Sequence, residues 1–163
     1  MLNLETDSTF ITNDTHREQF QSGYLVEEWS SLYPMLFDSD DKRIALNQRH
    51  LGYHYYEWLA AILIYHTTGY LSLIEAYAYK SHTRKRQVLE TLIAGEALDF
   101  IASRGIQSVI QCPDLLVYAP NKIEWFFCEV KGPRDKLREK QVSFFKELAQ
   151  ISGKEIKVVH FKT

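Results

Sequence analysis

The sequence predicts an α/β fold in which a mixed β-sheet is flanked by helices and preceded by a partly helical N-terminal extension. Residues 115–118 and 123–130 are β-rich runs separated by the turn formers Pro120 and Asn121, a pattern typical of an antiparallel hairpin. A helical segment follows, and a third β-rich run covers residues 155–161. Strand, helix and strand in this order predict a right-handed parallel crossover, so the sheet is mixed.

The helix after the hairpin is indicated by apolar spacing and by Gly153, a typical C-terminal stop. Gln141 falls on the inward face of this helix, where a buried amide needs a hydrogen-bond partner. The residues at helical spacing, with two more that widen the stripe, are Leu137, Gln141, Phe144, Phe145, Leu148, Ala149 and Ile151.

Upstream, residues 53–66 contain no helix breaker and predict a buried helix, whereas residues 69–79 are compatible with either a strand or a helix. Residues 84–103 predict another helix. Residues 24–29 begin a short helix that ends near Pro34, and residues 38–41 resemble a loop or a helix cap more than a calcium loop. We expect an extension over residues 1–50 and the main domain over 51–163, in one compact unit. A family-specific addition, a dimer arm and a substrate gate all remain open for the extension.

Composition limits the class of protein. A chain of 163 residues with 45% hydrophobic residues suffices for one domain with a sizeable core. We see no secretory signal, and His66 to Gly69 interrupt the longest apolar stretch, so no membrane partner is expected. Cys112 and Cys128 define neither a disulfide framework nor a zinc site, which favours a reduced, intracellular environment.

Three polar residues of the hairpin carry the chemistry. Asp114 precedes the first strand, and Glu129 and Lys131 end the second. Glu129 and Lys131 point to the same side because side chains alternate along a strand, and the hairpin places Asp114 opposite the segment around Phe127 and Glu129. Paired carboxylates suit Mg²⁺ or Mn²⁺. The group therefore indicates metal-dependent phosphodiester hydrolysis rather than a solvated charge pair on an edge strand.

The same residues resemble the VRR-NUC branch of the PD-(D/E)XK nucleases, in particular the nuclease domain of the Fanconi-associated nuclease. The resemblance covers about residues 100–161 and rests on Pro113-Asp114-Leu115-Leu116-Val117-Tyr118, Glu129-Val130-Lys131-Gly132-Pro133-Arg134-Asp135-Lys136-Leu137 and Lys140-Gln141. It implies a restriction-endonuclease-like core, metal roles for Asp114 and Glu129, a catalytic role for Lys131 and a supporting role for Gln141. The backbone carbonyl of Val130 is a further candidate metal ligand.

The family pattern also has a Glu on a helix before the hairpin. Residues 52–57 resemble the corresponding region, so Glu57 is our candidate for an additional catalytic and metal-binding carboxylate. Glu90 and Glu96, on the helix nearest the hairpin, are rivals, and Glu75 is a remote one.

Two basic clusters are candidates for contacts with DNA phosphates. Because the net charge of the chain is −2, affinity for DNA has to come from such local patches. Either cluster alone is more often a solvated face. The first precedes and opens the helix over 84–103, and the second flanks the hairpin motif. They consist of Lys80, Arg84, Lys85 and Arg86, and of Arg134, Lys136, Arg138 and Lys140.

The expected function is therefore a Mg²⁺- or Mn²⁺-dependent endonuclease or exonuclease acting on DNA. The resemblance implies branched DNA, either flaps or Holliday-type junctions, in repair or phage recombination, and a homodimer if the substrate is a symmetric junction. We expect an intracellular protein, cytoplasmic and nucleoid-associated in a prokaryote or phage. Two alternatives remain: a non-catalytic DNA-binding module, and a subunit or interaction protein whose aromatic N-terminal half forms a partner surface.

Overall fold

The computed structural model describes residues 7–52, 54–75, 77, 81–107 and 112–163. A five-stranded sheet carries helices on both faces, which confirms the predicted α/β class with a mixed sheet. The strands are β1 (Asp7–Ile11), β2 (Leu71–Ile74), β3 (Leu115–Tyr118), β4 (Trp125–Lys131) and β5 (Ile156–Lys162). The helices are α1 (Asp14–Gln21), α2 (Tyr24–Leu32), α3 (Ser39–Gln48), α4 (Tyr55–Thr68), α5 (Thr83–Leu92), α6 (Gly95–Gln107) and α7 (Glu139–Ser152), with a short 3₁₀ helix over Arg49–Leu51.

The strand order is β1-β5-β4-β3-β2. β3 and β4 form the predicted antiparallel hairpin, with Leu115 opposite Cys128 and Tyr118 opposite Trp125. β4 and β5 are parallel and connected through α7, as the crossover prediction requires. The remaining pairs are β2 with β3, antiparallel, and β1 with β5, parallel. Because β3 and β4 are antiparallel, the end of β4 and the beginning of β3 lie side by side at the same end of the strands.

Both faces of the central strands are buried. Val117 and Val159 belong to a core cluster that includes α2 and α4, whereas Leu116 and Phe127 belong to a second cluster with α5, α6 and α7. Successive residues of a strand face opposite sides of the sheet. Because helices cover both faces of β3, all of its residues are apolar. This explains why the run over residues 115–118 shows no polar alternation.

Residues 7–50 join the same sheet and core. β1 pairs with β5 at the sheet edge, and Phe20 and Trp29 are buried in the cluster that includes α4. The predicted short helix is α2, and Asp38 caps α3 through a reciprocal pair of hydrogen bonds with Asp41, as the helix-cap reading of residues 38–41 expected. The capping box satisfies donors that the first turn of a helix otherwise leaves free.

The structure corrects the prediction of one helix over residues 84–103. The chain forms α5 and α6, separated where Ile93 is extended and Gly95 adopts a positive φ of 64°. Apolar residues on both helices face the same core, so their spacing concealed the break that Gly95 marks. The open assignment of residues 69–79 resolves into β2, with residues 76, 78 and 79 outside the described part.

Cys112 and Cys128 are free thiols. Across the described ranges, no helix has the length and apolar character that crossing a membrane requires.

Candidate active site

The candidate site lies where the end of β2, the start of β3 and the end of β4 meet. Asp114 directly precedes β3, and its backbone and side chain connect both neighbouring strands. The Glu75 N–H donates to the Asp114 carbonyl oxygen (2.8 Å), and the Val130 N–H donates to Asp114 Oδ2 (2.9 Å). The Asp114 N–H in turn donates to Glu129 Oε2 (3.2 Å). Antiparallel pairing on both sides of β3 thus brings residues from three strands to one place.

Glu129, Lys131 and Gln141 form a connected polar group beside Asp114. Lys131 Nζ lies 2.9 Å from Glu129 Oε1, and Gln141 Nε2 donates to the same oxygen (3.2 Å). Gln141 Oε1 accepts from Lys131 Nζ (3.4 Å) and from the Arg138 N–H (3.1 Å). Gln141 is the third residue of α7, so its side chain ties the start of that helix to the end of β4. The structure therefore brings together the hairpin residues and the glutamine that the sequence singled out.

A second group consists of three carboxylates, Glu57, Glu75 and Asp114, each offering an oxygen within 4.8 Å of the others. Glu57 reaches it from the first turn of α4 and Glu75 from the residue after β2. Glu90 and Glu96 are exposed on α5 and α6, so neither joins the cluster. Glu75, regarded as remote in the sequence, does.

Burial and the neighbouring carboxylates raise the pKa values of two of these acids, Glu57 and Asp114. Burial and the nearby Glu75 carboxylate raise the pKa of Glu57 from 4.5 to about 7. Burial and the Glu129 and Glu57 carboxylates raise the pKa of Asp114 well above its usual range, although its bond from Val130 acts in the opposite direction. Carboxylates that repel one another at this distance form a donor set of hard oxygens suited to a divalent cation. The residues present therefore fit a metal site.

His54 is a residue of this site that the sequence reading missed. Its Nδ1 lies 2.9 Å from Glu75 Oε2, and it precedes the first turn of α4. Burial lowers the pKa of His54, but the hydrogen bond and charge of Glu75 outweigh it, so the pKa is raised. His54 and Glu75 both have positive φ values, 75° and 42°, a conformation that is unusual outside glycine and is found at functional sites.

A sequence signal for Glu75 existed. It directly follows the apolar run of β2, as a carboxylate at the end of a buried strand. Because β2 pairs antiparallel with β3, that position lies next to Asp114, and the pairing is visible only once both strands are assigned.

Lys85 is not available for DNA, which corrects its assignment to the first basic cluster. Its side chain is 3% exposed and its ammonium lies 2.6 Å from Asp41 Oδ1. It also donates to the carbonyl oxygens of Ile74 (2.5 Å) and Glu75 (3.3 Å). A buried ammonium needs such partners, and here they connect α3, α5 and the end of β2. Lys85 therefore supports the backbone that carries Glu75.

The neighbouring arginines are also paired. Arg84 Nε lies 2.6 Å from Asp38 Oδ2, and Arg86 Nε lies 2.8 Å from Glu90 Oε1. Both retain some exposure, but much of their charge is already compensated. Lys80 lies outside the described residues.

The second basic cluster differs in being exposed. Its members lie in the loop between β4 and α7 and in the first turn of α7, next to Lys131 and Gln141. They are Arg134, Lys136, Arg138 and Lys140, all exposed. These exposed cationic side chains therefore follow the end of β4 and flank the start of α7, the two places that carry Lys131 and Gln141.

Comparison with protein families assigns the chain to a known domain family. The model of the VRR-NUC domain matches residues 55–162. The chain belongs to the VRR-NUC domain family. This VRR-NUC domain is a PD-(D/E)XK-like nuclease domain, and the match begins at α4 and includes Glu57, Asp114, Glu129, Lys131 and Gln141. A search of curated proteins found no match.

Membership of the VRR-NUC family supports a nuclease-type function in DNA processing, with DNA as the substrate. It also implies the use of a divalent metal, in agreement with the carboxylate cluster of Glu57, Glu75 and Asp114.

Proposed function

We propose that this protein is a divalent-metal-dependent, structure-selective nuclease that hydrolyses phosphodiester bonds in branched DNA. The observation that carries the proposal is the convergence of Glu57, Glu75 and Asp114 within 4.8 Å, beside the Glu129–Lys131 pair. The preference for branched DNA, either a flap or a Holliday-type junction, rests on the resemblance of the hairpin motif, and so does a role in repair or recombination. A junction-cutting enzyme would act as a homodimer.

The chain offers two neighbouring sets of metal ligands that share Asp114. Asp114, Glu129 and the Val130 carbonyl would hold one Mg²⁺ or Mn²⁺ ion, and Glu57 and Glu75 would hold a second together with Asp114. Such an ion lowers the pKa of a bound water and neutralises charge on the phosphate under attack. Burial and the neighbouring carboxylates raise the pKa of Glu57 and of Asp114, and a bound cation would relieve the repulsion among these acids.

Lys131 would act on the reacting atoms. Its ammonium is held by Glu129 Oε1 (2.9 Å) and Gln141 Oε1 (3.4 Å), and Glu129 also accepts a hydrogen bond from the Asp114 N–H (3.2 Å), so Lys131 lies beside the proposed metal ligands. There it would orient the attacking water or stabilise the charge that develops on the phosphate. Gln141 is a positioning residue, because it reaches the substrate only through Glu129 and Lys131.

DNA contacts outside the reacting centre would come from the exposed cluster of Arg134, Lys136, Arg138 and Lys140. Phosphate contacts of this kind give register and salt-dependent affinity without reading bases. Arg84 and Arg86 could add to this surface where their acidic partners leave them exposed.

The test is cleavage of labelled flap, four-way junction, single-stranded and duplex DNA in Mg²⁺, Mn²⁺ or EDTA. The variants are Lys131→Ala and, as matched control, Lys146→Ala, which removes an exposed lysine from α7. We expect cleavage only with metal, loss in Lys131→Ala by at least about a hundredfold, and full activity in the control. Binding without cleavage of any substrate would refute the nuclease proposal and favour a DNA-binding module. Equal cleavage of all four substrates would refute the preference for branched DNA.

A further inference from the structure

A cavity of about 410 Å³ opens next to the candidate site, between α1, the start of α4 and the loop after β4. Tyr56 and Gly132 line it, and they are the chain neighbours of Glu57 and Lys131. The cavity therefore lies near the end of β4, where the proposed nuclease would hold the scissile phosphate. Its remaining wall includes Arg17 from α1 and Arg134 from the loop.

Arg17 is the informative residue of this wall. Its Nε is buried and has no hydrogen-bond partner, and its guanidinium lies 5.8 Å from the centre of the Tyr56 ring. Within the described ranges, no carboxylate lies within ion-pair distance of Arg17. Buried donors are nearly always satisfied, and guanidinium groups favour planar anions such as carboxylate and phosphate. Because the Arg17 side chain lines the cavity, an anionic ligand there would give its guanidinium a partner that no described carboxylate provides.

Two acids also face the cavity and limit what it can bind. Asp135 Oδ2 accepts a hydrogen bond from the Gly132 N–H (3.2 Å), so this carboxylate holds the turn after β4. Asp14 lies in the first turn of α1. The acids balance the two arginines, so the cavity would attract a small free anion weakly. A phosphate that belongs to a DNA strand already bound through other phosphates, at the exposed cluster of Arg134, Lys136, Arg138 and Lys140, gains from the local arginines although the net charge of the cavity is small.

We propose that the cavity is a subsite for a DNA phosphate adjacent to the scissile one, bound by Arg17 and Arg134, with the Tyr56 ring against the flanking nucleotide. The inference rests on the proposed nuclease function. It gives the N-terminal extension a role, because α1 lies outside residues 55–162, which the family model matches, and yet contributes an arginine to the substrate groove.

The test measures binding of labelled branched and duplex DNA to the full chain in EDTA over a range of KCl concentrations. Arg17→Met removes the charge and retains the apolar stem, Arg17→Lys retains the charge, and Arg134→Met alters the opposite wall without touching the core. Arg43→Met is the matched control, because Arg43 is exposed on α3 and pairs only loosely with Asp40 (3.5 Å). Thermal unfolding of each variant verifies folding.

We expect Arg17→Met and Arg134→Met each to weaken binding about tenfold at moderate salt and to reduce the salt slope by about one. Arg17→Lys should recover most of the salt slope, and the control should match the wild type. Salt slopes equal to the wild type in both methionine variants would overturn the subsite. So would an Arg17→Met variant that fails to fold together with an Arg134→Met variant that binds DNA like the wild type. Absence of DNA binding by the wild type would overturn it as well. Cleavage by the wild type in Mg²⁺ is scored separately, so binding without cleavage would refute the nuclease, while the variants would still decide whether Arg17 and Arg134 bind a DNA phosphate.

Discussion

Replacing Glu57 by Gln should stabilise the metal-free protein at alkaline pH while weakening its metal binding. The pKa of Glu57 is about 7 in the folded chain, against 4.5 for the free side chain, because burial and Glu75 oppose its charge. At about 1.4 kcal/mol per pKa unit, this raised pKa costs up to about 3 kcal/mol of folding free energy once the carboxylate ionises. Partial exposure of Glu57 reduces the expected gain from its neutral isostere to about 2 kcal/mol.

The sign of the pH dependence follows from the raised pKa. Below about pH 4.5 Glu57 is protonated in both folded and unfolded chains, so the two proteins should differ by less than about 0.5 kcal/mol. As the pH rises from 4.5 to 7, the unfolded chain releases the proton first, and the wild type loses stability relative to Glu57→Gln. At pH 8 the variant should unfold about 4–8 °C higher, as expected for a chain of this length.

The assay is thermal unfolding in EDTA at pH 4.5 and pH 8, repeated at pH 8 with Mn²⁺. Glu18→Gln, an exposed carboxylate of α1, is the matched control and should change little at either pH. Mn²⁺ should raise the unfolding temperature of the wild type more than that of Glu57→Gln. If Glu57→Gln is destabilising at pH 8, then the ionised Glu57 carboxylate does not destabilise the fold. If Mn²⁺ stabilises both proteins equally, then Glu57 is not a metal ligand.

Three further substitutions test the surrounding structure. Lys85→Met removes the buried cation that lies 2.6 Å from the Asp41 carboxylate and leaves only Arg84, at 3.4 Å, beside it. It should cost about 3–5 kcal/mol in urea unfolding, whereas the same change at an exposed lysine should cost under about 0.5 kcal/mol; equal costs would contradict the buried pair. Gly132→Ala places a methyl group 2.9 Å from Tyr56 Cε2, so we expect a loss of about 1–3 kcal/mol in thermal unfolding, and an unchanged midpoint would show that the ring moves aside freely. Gln141→Leu removes the bonds to Glu129 and Lys131 and should lower the single-turnover cleavage rate about 10- to 100-fold with little change in DNA binding; a wild-type rate would exclude the positioning role.

Short-range patterns accounted for the elements that carry the hairpin half of the site. The turn formers Pro120 and Asn121 lie between two apolar runs, so the pairing of β3 with β4 followed, and with it the closeness of Asp114 to Glu129. Gly153 ends α7 with a positive φ of 69°, as its position predicted. These features depend on residues fewer than about twenty positions apart, for which backbone preferences and side-chain period are informative.

The second carboxylate group depended on packing between distant segments. Glu57 and Glu75 meet Asp114 because α4 packs beside β2 and β2 pairs with β3, and nothing local to either glutamate specifies those contacts. Charge alone was misleading for Lys85, since a basic run is usually solvated, but the core closes over its side chain and Asp41 is there to pair with it.

The sequence by itself therefore determined the α/β class, the hairpin, the crossover through α7 and the grouping of Asp114, Glu129, Lys131 and Gln141. Each of these follows from local periodicity, turn chemistry or motif spacing. Only the tertiary structure decided which upstream acids lie close to Asp114 and how Arg17 of the extension comes to line a cavity beside the candidate site. Those placements arise from the packing of helices and strands that are distant in the sequence, and the local spacing of residues does not reveal this packing.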